Sequence, residues 1–258
     1  MKSENKKVVF YHELTDDVCD ENIEEPVINA KYVYERRNWI YKFFEFLFYR
    51  FIIVPLAFIY THIVRHVKID GRKKLKEAKE GAFIFANHTN NVGDALIPPI
   101  VTGPKKLYVI VNPKNLKVKP FGKSIKMMGA LPLPTGIEAT KNFLSVIENK
   151  IDKGHKILIY PEAKIWPFYT GVRPFKRGSF RYPVKYKKPI YVMTTTYQKT
   201  KSKRLKTVIY IDGPFRVNED LPQKEQEQEF EKICKQTMEE RAKLNTFEKY
   251  DYRRITND

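Results

Sequence analysis

Between residues 67 and 211 the chain reads as short apolar runs, each three to seven residues long, separated by stretches of helical spacing. The runs are 67–69, 82–86, 107–111, 130–133, 156–160, 190–196 and 208–211, and the helical stretches are 95–101, 121–128, 138–152 and 180–186. Runs too short for helices that alternate with helical segments predict a layered α/β fold built on a largely parallel mixed sheet. After the last run, Leu221-Pro222 opens a charged helix that carries Phe230, Ile233, Cys234 and Met238 on one face. No internal repeat, low-complexity tract or linker interrupts the pattern, so residues 67–258 are expected to form a single domain flanked by helices. A chain of 258 residues with 14% aromatic content can bury a sizeable core, which excludes disorder over most of its length.

Ahead of this body lies an apolar stretch, Trp39-Ile-Tyr-Lys-Phe-Phe-Glu-Phe-Leu-Phe-Tyr-Arg50 followed by Phe51-Ile-Ile-Val-Pro-Leu-Ala-Phe-Ile-Tyr-Thr-His-Ile-Val64. Its uncharged part, 51–64, is 14 residues, short of the ~20 that a spanning helix needs. Asn38, Lys42, Glu45 and Tyr49 recur at three- and four-residue steps and make one narrow polar stripe. With Arg36, Arg37, Arg65 and Lys68 at its ends, residues 31–66 are expected to form an amphipathic helix pair in a membrane interface, bent at Pro55. The other reading of the same residues is a buried core helix.

Charge is distributed unevenly. Residues 1–30 hold eight acids against three lysines, whereas 31–222 carry 37 basic against 13 acidic side chains and account for the net charge of +18. Such an excess suits nucleic acid, an anionic membrane surface or a phosphorylated substrate. The aromatic residues cluster in apolar segments and do not interleave with the basic ones, which speaks against nucleic acid. An anionic membrane is therefore the expected partner. The acidic 1–30 segment has no readable role. Two cysteines, Cys19 and Cys234, suit a reducing compartment, and the first thirty residues carry no secretory pattern. These features place the protein on the cytoplasmic face of a membrane, peripheral or monotopic. His62 and His66 have the spacing of a metal pair but no third ligand nearby, so no metal is expected.

Two segments carry chemistry. In Phe83-Ile-Phe-Ala-Asn87-His88-Thr-Asn-Asn-Val-Gly93-Asp94 an apolar run delivers Asn87 and His88 at its carboxyl end, where ligands of open α/β sheets bind. A carboxylate one turn later, Asp94, can orient the imidazole and favour its protonated form, which makes a general base; a hydrogen-bonded loop histidine fits the same residues. In the second segment, Lys156-Ile-Leu-Ile-Tyr160-Pro161-Glu162, a run again ends in a carboxylate. Lys164, Arg173, Lys176, Arg177 and Arg181 follow it, a set suited to an anionic ligand or simply to a solvated basic loop. Trp166 and Tyr169 lie between them, as pocket lining or as core.

Asn87-His88…Asp94, Gly129-Ala-Leu-Pro-Leu, Tyr160-Pro161-Glu162 and Lys188-Pro189-Ile190-Tyr-Val192 stand in the order of four sequence blocks. Together they resemble those of the glycerolipid acyltransferases, of the 1-acylglycerol-3-phosphate type, over roughly 65–215. The resemblance implies transfer of an acyl chain from acyl-CoA or acyl-carrier protein to a lysophospholipid hydroxyl, with the thioester as co-substrate and no cofactor. It makes His88 the general base, Asp94 its partner and Glu162 the organiser of the acceptor site, beside Asn87. Two departures stand out. Five residues separate His88 from Asp94 where the family has four, and Leu133-Pro134-Thr135 and Ala163-Lys164-Ile165 lack the family's two arginines. Lys126, Lys164, Arg173, Lys176 and Arg177 are the replacements available, and N–H groups near Gly129 or in the 89–92 turn are the candidate oxyanion donors. A His88–Asp94 distance beyond one hydrogen bond would instead favour a lipid-binding protein without catalysis.

Overall fold

The computed structural model describes residues 6–19, 23–36, 38–103, 105–118, 122, 124–176, 178–202 and 204–255. Seven strands form the main sheet: β2 (Lys68–Asp70), β3 (Ala82–Ala86), β4 (Tyr108–Val111), β5 (Ala130–Pro132), β6 (Lys156–Ile159), β7 (Ile190–Lys199) and β8 (Leu205–Phe215). Their order is β2-β8-β7-β3-β6-β4-β5, and every neighbouring pair is parallel except the β7–β8 hairpin. The α/β fold with a mixed, mostly parallel sheet is thus the one that the alternation of apolar runs predicts.

Side chains alternate across the sheet, as the two-residue period of a strand requires. Phe83, Phe85, Ile157, Ile159, Ile190 and Val192 face one side. There they meet Phe143, Ile147 and Ile151 of the helix Ile137–Asp152, and Phe230, Cys234 and Met238 of the helix Gln223–Ala242. Ala82, Ile84, Ala86, Leu158, Tyr191 and Met193 face the other, against Leu75, Ile97 and Val101. β3 is buried at all five positions and lies in the middle of the sheet, so whatever follows it is held rigidly.

Three local readings differ from the sequence expectation. The stretch 121–128 is not a helix where it is described: Met128 N–H closes a single turn onto Ser124, and Gly129, at φ 107°, then turns the chain directly into β5. A Cβ at Gly129 would sit 2.2 Å from the Leu107 carbonyl oxygen, so only glycine allows that approach. The acidic N-terminal segment is structured in part: β1 (Lys7–Tyr11) pairs in parallel with β9 (Tyr250–Arg254), which joins the two ends of the chain. The expected helix pair is one continuous helical segment, Trp39–Val64; Pro55 lacks the N–H of an interior rung, and the wider turn just before it, Val54 N–H to the Tyr49 carbonyl, accommodates it without a break.

That helix, 26 residues with a mean hydropathy of 1.8 over its most apolar 18, is amphipathic in an inverted sense. The C-terminal half of its polar stripe, Glu45 and Tyr49, faces the protein, while Asn38 and Lys42 are exposed. Glu45 pairs with Lys106, and the Tyr49 hydroxyl accepts the Leu107 N–H at 3.2 Å, while Asn38 caps the helix start by accepting from Ile40 N–H at 2.8 Å. Tyr49, Ile53, Ala57 and Thr61, four residues apart, form the buried line. A 3.6-residue helix would rotate such a line off the contact. Here wider turns, with Val54 N–H donating to Tyr49 and Arg65 N–H to Tyr60, offset that drift. Trp39, Phe43, Phe46, Phe51, Phe58 and Ile63 point outward and are each more than half exposed.

Ala57 is fully buried against Leu96 and Ile100. Ala57→Leu forces extra methylenes into that contact, and the expected cost is about 1–3 kcal/mol, read as a lower Tm in detergent. Ile63→Leu on the exposed face leaves Tm unchanged.

Candidate active site

β3 and β6 are adjacent and in register through Phe85 opposite Ile159, so the residues that follow them emerge side by side. The first, Asn87, has both ends of its amide engaged: Nδ2 donates to the Thr195 carbonyl at 3.0 Å and Oδ1 accepts the Thr195 N–H at 2.8 Å. Its side chain extends the β3–β7 ladder by one step and anchors the backbone that carries His88.

His88 Nδ1 lies 2.7 Å from Asp94 Oδ2, within one hydrogen bond. The same carboxylate oxygen accepts the Asn90 N–H at 3.0 Å. An ionised carboxylate only accepts, so the proton sits on Nδ1 and Nε2 is left as the basic nitrogen. Gly93 lies inside the short helix Asn91–Leu96, where a Cβ would lie 2.3 Å from the Asn90 side chain. Asp94 is the fourth residue of that helix and, across five intervening residues, still reaches His88. Burial raises the Asp94 carboxyl above its ordinary 3.8, and the hydrogen bonds from His88 and Asn90 oppose that shift.

Glu162 is the buried counterpart. Oε2 accepts the His88 N–H at 3.1 Å and the Arg173 Nη2 at 2.9 Å, while Oε1 accepts the Arg173 N–H at 3.1 Å. Arg173 is 1% exposed, lies 5.0 Å over the Trp166 ring and gives a further bond to the Lys164 carbonyl. The loop 162–173 is laced to the His88 segment, with Trp166 N–H donating to the His88 carbonyl at 3.0 Å and Phe168 N–H to the Thr89 carbonyl at 2.8 Å. Ala163 adopts the left-handed backbone that favours glycine, at φ 62°.

The other expected residues are dispersed. Lys164 pairs with Asp17 of the N-terminal segment, and Lys176 is exposed. Lys126 donates to the Val33 carbonyl and sits over the Tyr32 ring, beside the segment that leads into the long helix; burial lowers its pKa. Arg177 lies outside the described residues. Gly129 donates its N–H to the Lys126 carbonyl, so it offers no free donor for an oxyanion. Trp166 is core: Tyr11, Tyr169 and Tyr252 surround it and its Nε1 donates to the Asp16 carbonyl at 2.9 Å. Asp17, Tyr11 and Tyr252 were not legible as neighbours of the site, because the residues they touch, Lys164 and Trp166, lie far from them along the chain.

A protein-family model described as Acyltransferase matches residues 66–213. No curated protein sequence matches the chain significantly. The crystal structure of the 1-acyl-sn-glycerophosphate (LPA) acyltransferase PlsC from Thermotoga maritima is similar in fold, with a TM-score of 0.52 at 18% identity over 73% of this chain and 76% of that one.

A buried acid whose pKa rises on folding contributes stability below its ordinary value and loses that contribution as pH climbs through the folded value. Ionised Asp94 is then a cost at neutral pH. Asp94→Asn keeps both acceptor contacts without the charge, so the variant is expected to melt at or above the wild-type temperature at about pH 7, the gap closing toward about pH 4. Thermal unfolding across that range checks it.

Proposed function

Because the chain belongs to the acyltransferase family, we propose that it is a membrane-attached glycerolipid O-acyltransferase that moves a fatty acyl chain from a thioester to a lysophospholipid hydroxyl, foremost that of 1-acylglycerol-3-phosphate. The observation that carries this reading is the His88–Asp94 pair at 2.7 Å, held where the ends of β3 and β6 meet. A non-catalytic lipid binder has no need of a basic nitrogen fixed by a buried carboxylate.

In this reading His88 Nε2 takes the proton of the acceptor hydroxyl as its oxygen attacks the thioester carbonyl. Asp94 favours the imidazolium that forms. The tetrahedral oxyanion is met by N–H groups at Asn91 and Val92 of the 89–92 turn, since the Asn90 N–H is already given to Asp94. As the intermediate collapses, the C–S bond breaks and the imidazolium returns its proton to the departing thiolate. The ester and the free thiol of CoA or acyl-carrier protein leave, and His88 is neutral again. The balance requires nothing beyond the two substrates. Lys164 and Lys176 supply positive charge for the acceptor phosphate as point charges. Asn87, Glu162 and Arg173 hold the backbone and loop that present these groups, through the Asn87 amide, the Glu162 carboxylate and the Arg173 Nη2.

The outward aromatic face of the long helix supports membrane attachment. An outward face of Trp, Phe and Ile has no aqueous use, and an interface of lipid headgroups and acyl chains takes it up. Arg36, Arg50, Arg65 and Lys68 then meet anionic lipid at about 1 kcal/mol each, on the cytoplasmic leaflet.

Purified protein in detergent, given palmitoyl-CoA and a panel of lysophospholipids, is expected to release thiol in an acceptor-dependent way. His88→Ala reduces that rate about 10²–10⁴-fold, and thiol release unchanged in the variant would falsify the mechanism. In flotation assays the protein rises with vesicles that contain anionic lipid. Replacing Phe43, Phe46 and Phe51 together by serine leaves it in the soluble fraction.

A further inference from the structure

Tyr160 follows β6 directly and touches both members of the pair. Its ring stacks on the His88 imidazole, with centroids 4.3 Å apart and planes 22° apart, and its hydroxyl donates to the Asp94 backbone carbonyl at 2.7 Å. The second contact has a cause in the sequence four residues beyond Asp94. The helix that begins at Asn91 is regular around this point: Asp94 N–H donates to Asn90 at 2.6 Å and Ile97 N–H to Gly93 at 2.8 Å. The next rung calls for an N–H at position 98, and Pro98 has none. The carbonyl of buried Asp94 is thereby orphaned at the residue whose carboxylate must stay on His88, and the Tyr160 hydroxyl supplies the missing donor.

Building on the acyl-transfer reading, we infer that Tyr160 is a positioning residue for the His88–Asp94 pair: its ring sets the imidazole plane and its hydroxyl supplies the hydrogen bond that Pro98 denies to Asp94. Burial keeps this phenol well above its ordinary pKa, so it remains a donor throughout the working pH range. The arrangement also bears on the longer His88–Asp94 spacing. Whatever the length of the turn that joins the two, Tyr160 holds both of them from a separate segment, the residue after β6.

The test uses the full chain in detergent micelles with two readouts. One is the downfield imidazole Nδ1–H resonance of histidine-labelled protein, identified by its loss in His88→Ala, which requires no turnover. The other is acceptor-dependent thiol release. Tyr160→Phe, which keeps the ring, is expected to broaden or abolish the resonance and to lower kcat about tenfold, with KM for both substrates held within about twofold. Tyr160→Leu, which also loses the stack, falls further. Pro98→Ala alone behaves as wild type, and Pro98→Ala combined with Tyr160→Phe regains most of both signals, because the substitution at position 98 restores an N–H to the helix ladder. A Tyr160→Phe variant with wild-type resonance and kcat overturns the inference, as does an active Pro98→Ala that rescues neither signal. If the wild type transfers no acyl chain, the acyl-transfer reading fails by itself, and the resonance series still decides the role of Tyr160.

Discussion

Glu162 is the carboxylate on which the site depends. Buried at the end of β6, it accepts from the backbone of His88 at the end of β3 and from the backbone and guanidinium of Arg173, so three chain segments converge on two oxygen atoms. A buried ion pair of this kind contributes little net stability against a hydrophobic replacement, yet removing one partner costs about 3–5 kcal/mol because a bare charge is left behind. Its value lies in position. It fixes His88 relative to the neighbouring strand, and everything that acts through His88 inherits that constraint. Arg173 is engaged in this clamp, packed on Trp166 and 1% exposed, whereas Lys176 lies at the surface.

Around this clamp the two ends of the chain close a second layer. β1 and β9 pair, Tyr11 and Tyr252 enclose Trp166, Asp17 reaches Lys164, and the Tyr252 hydroxyl donates to the Pro167 carbonyl at 2.8 Å. Asn245 adds a link from the C-terminal segment, accepting from Tyr197 on β7 at 2.6 Å and donating to the Thr170 carbonyl at 3.0 Å. The acidic segment thus packs against the loop 162–173, where Asp17 pairs with Lys164. Its packing rests on aromatic rings, which keep a tight geometry at low cost in side-chain entropy.

The long helix follows a different logic. Glu45 and Tyr49 turn inward to meet Lys106 and the Leu107 amide, and Trp39 with most of the phenylalanines turns outward. In water that arrangement wastes apolar area; at a lipid interface both faces are satisfied. The narrow polar stripe was visible in the sequence, but periodicity alone cannot say which face of a helix meets the protein. The customary assumption, polar side out, is inverted here.

Much of the fold and part of the site were legible beforehand for local reasons. Strand period, apolar runs and the Asn87-His88…Asp94 and Tyr160-Pro161-Glu162 segments are written in consecutive residues, and they determined the α/β class, the central strands and the residues at their ends. The boundaries of β3 need only the sequence 82–86, whose five apolar residues can serve only a buried strand. The rest required three dimensions. Arg173 and Lys126 bear the same kind of charge in the sequence, yet one is sealed under Trp166 and the other leans on the segment before the helix, a distinction set by contacts eleven and 93 residues away in the chain. The same holds for Tyr160, whose role exists only because β6 lies beside β3 and because Pro98 withholds an N–H from Asp94. Sequence determines which groups the chain carries and how each short element is built, since those depend on neighbours along the backbone. The tertiary structure alone decides which groups share a hydrogen bond, because that depends on the register of strands far apart in the chain.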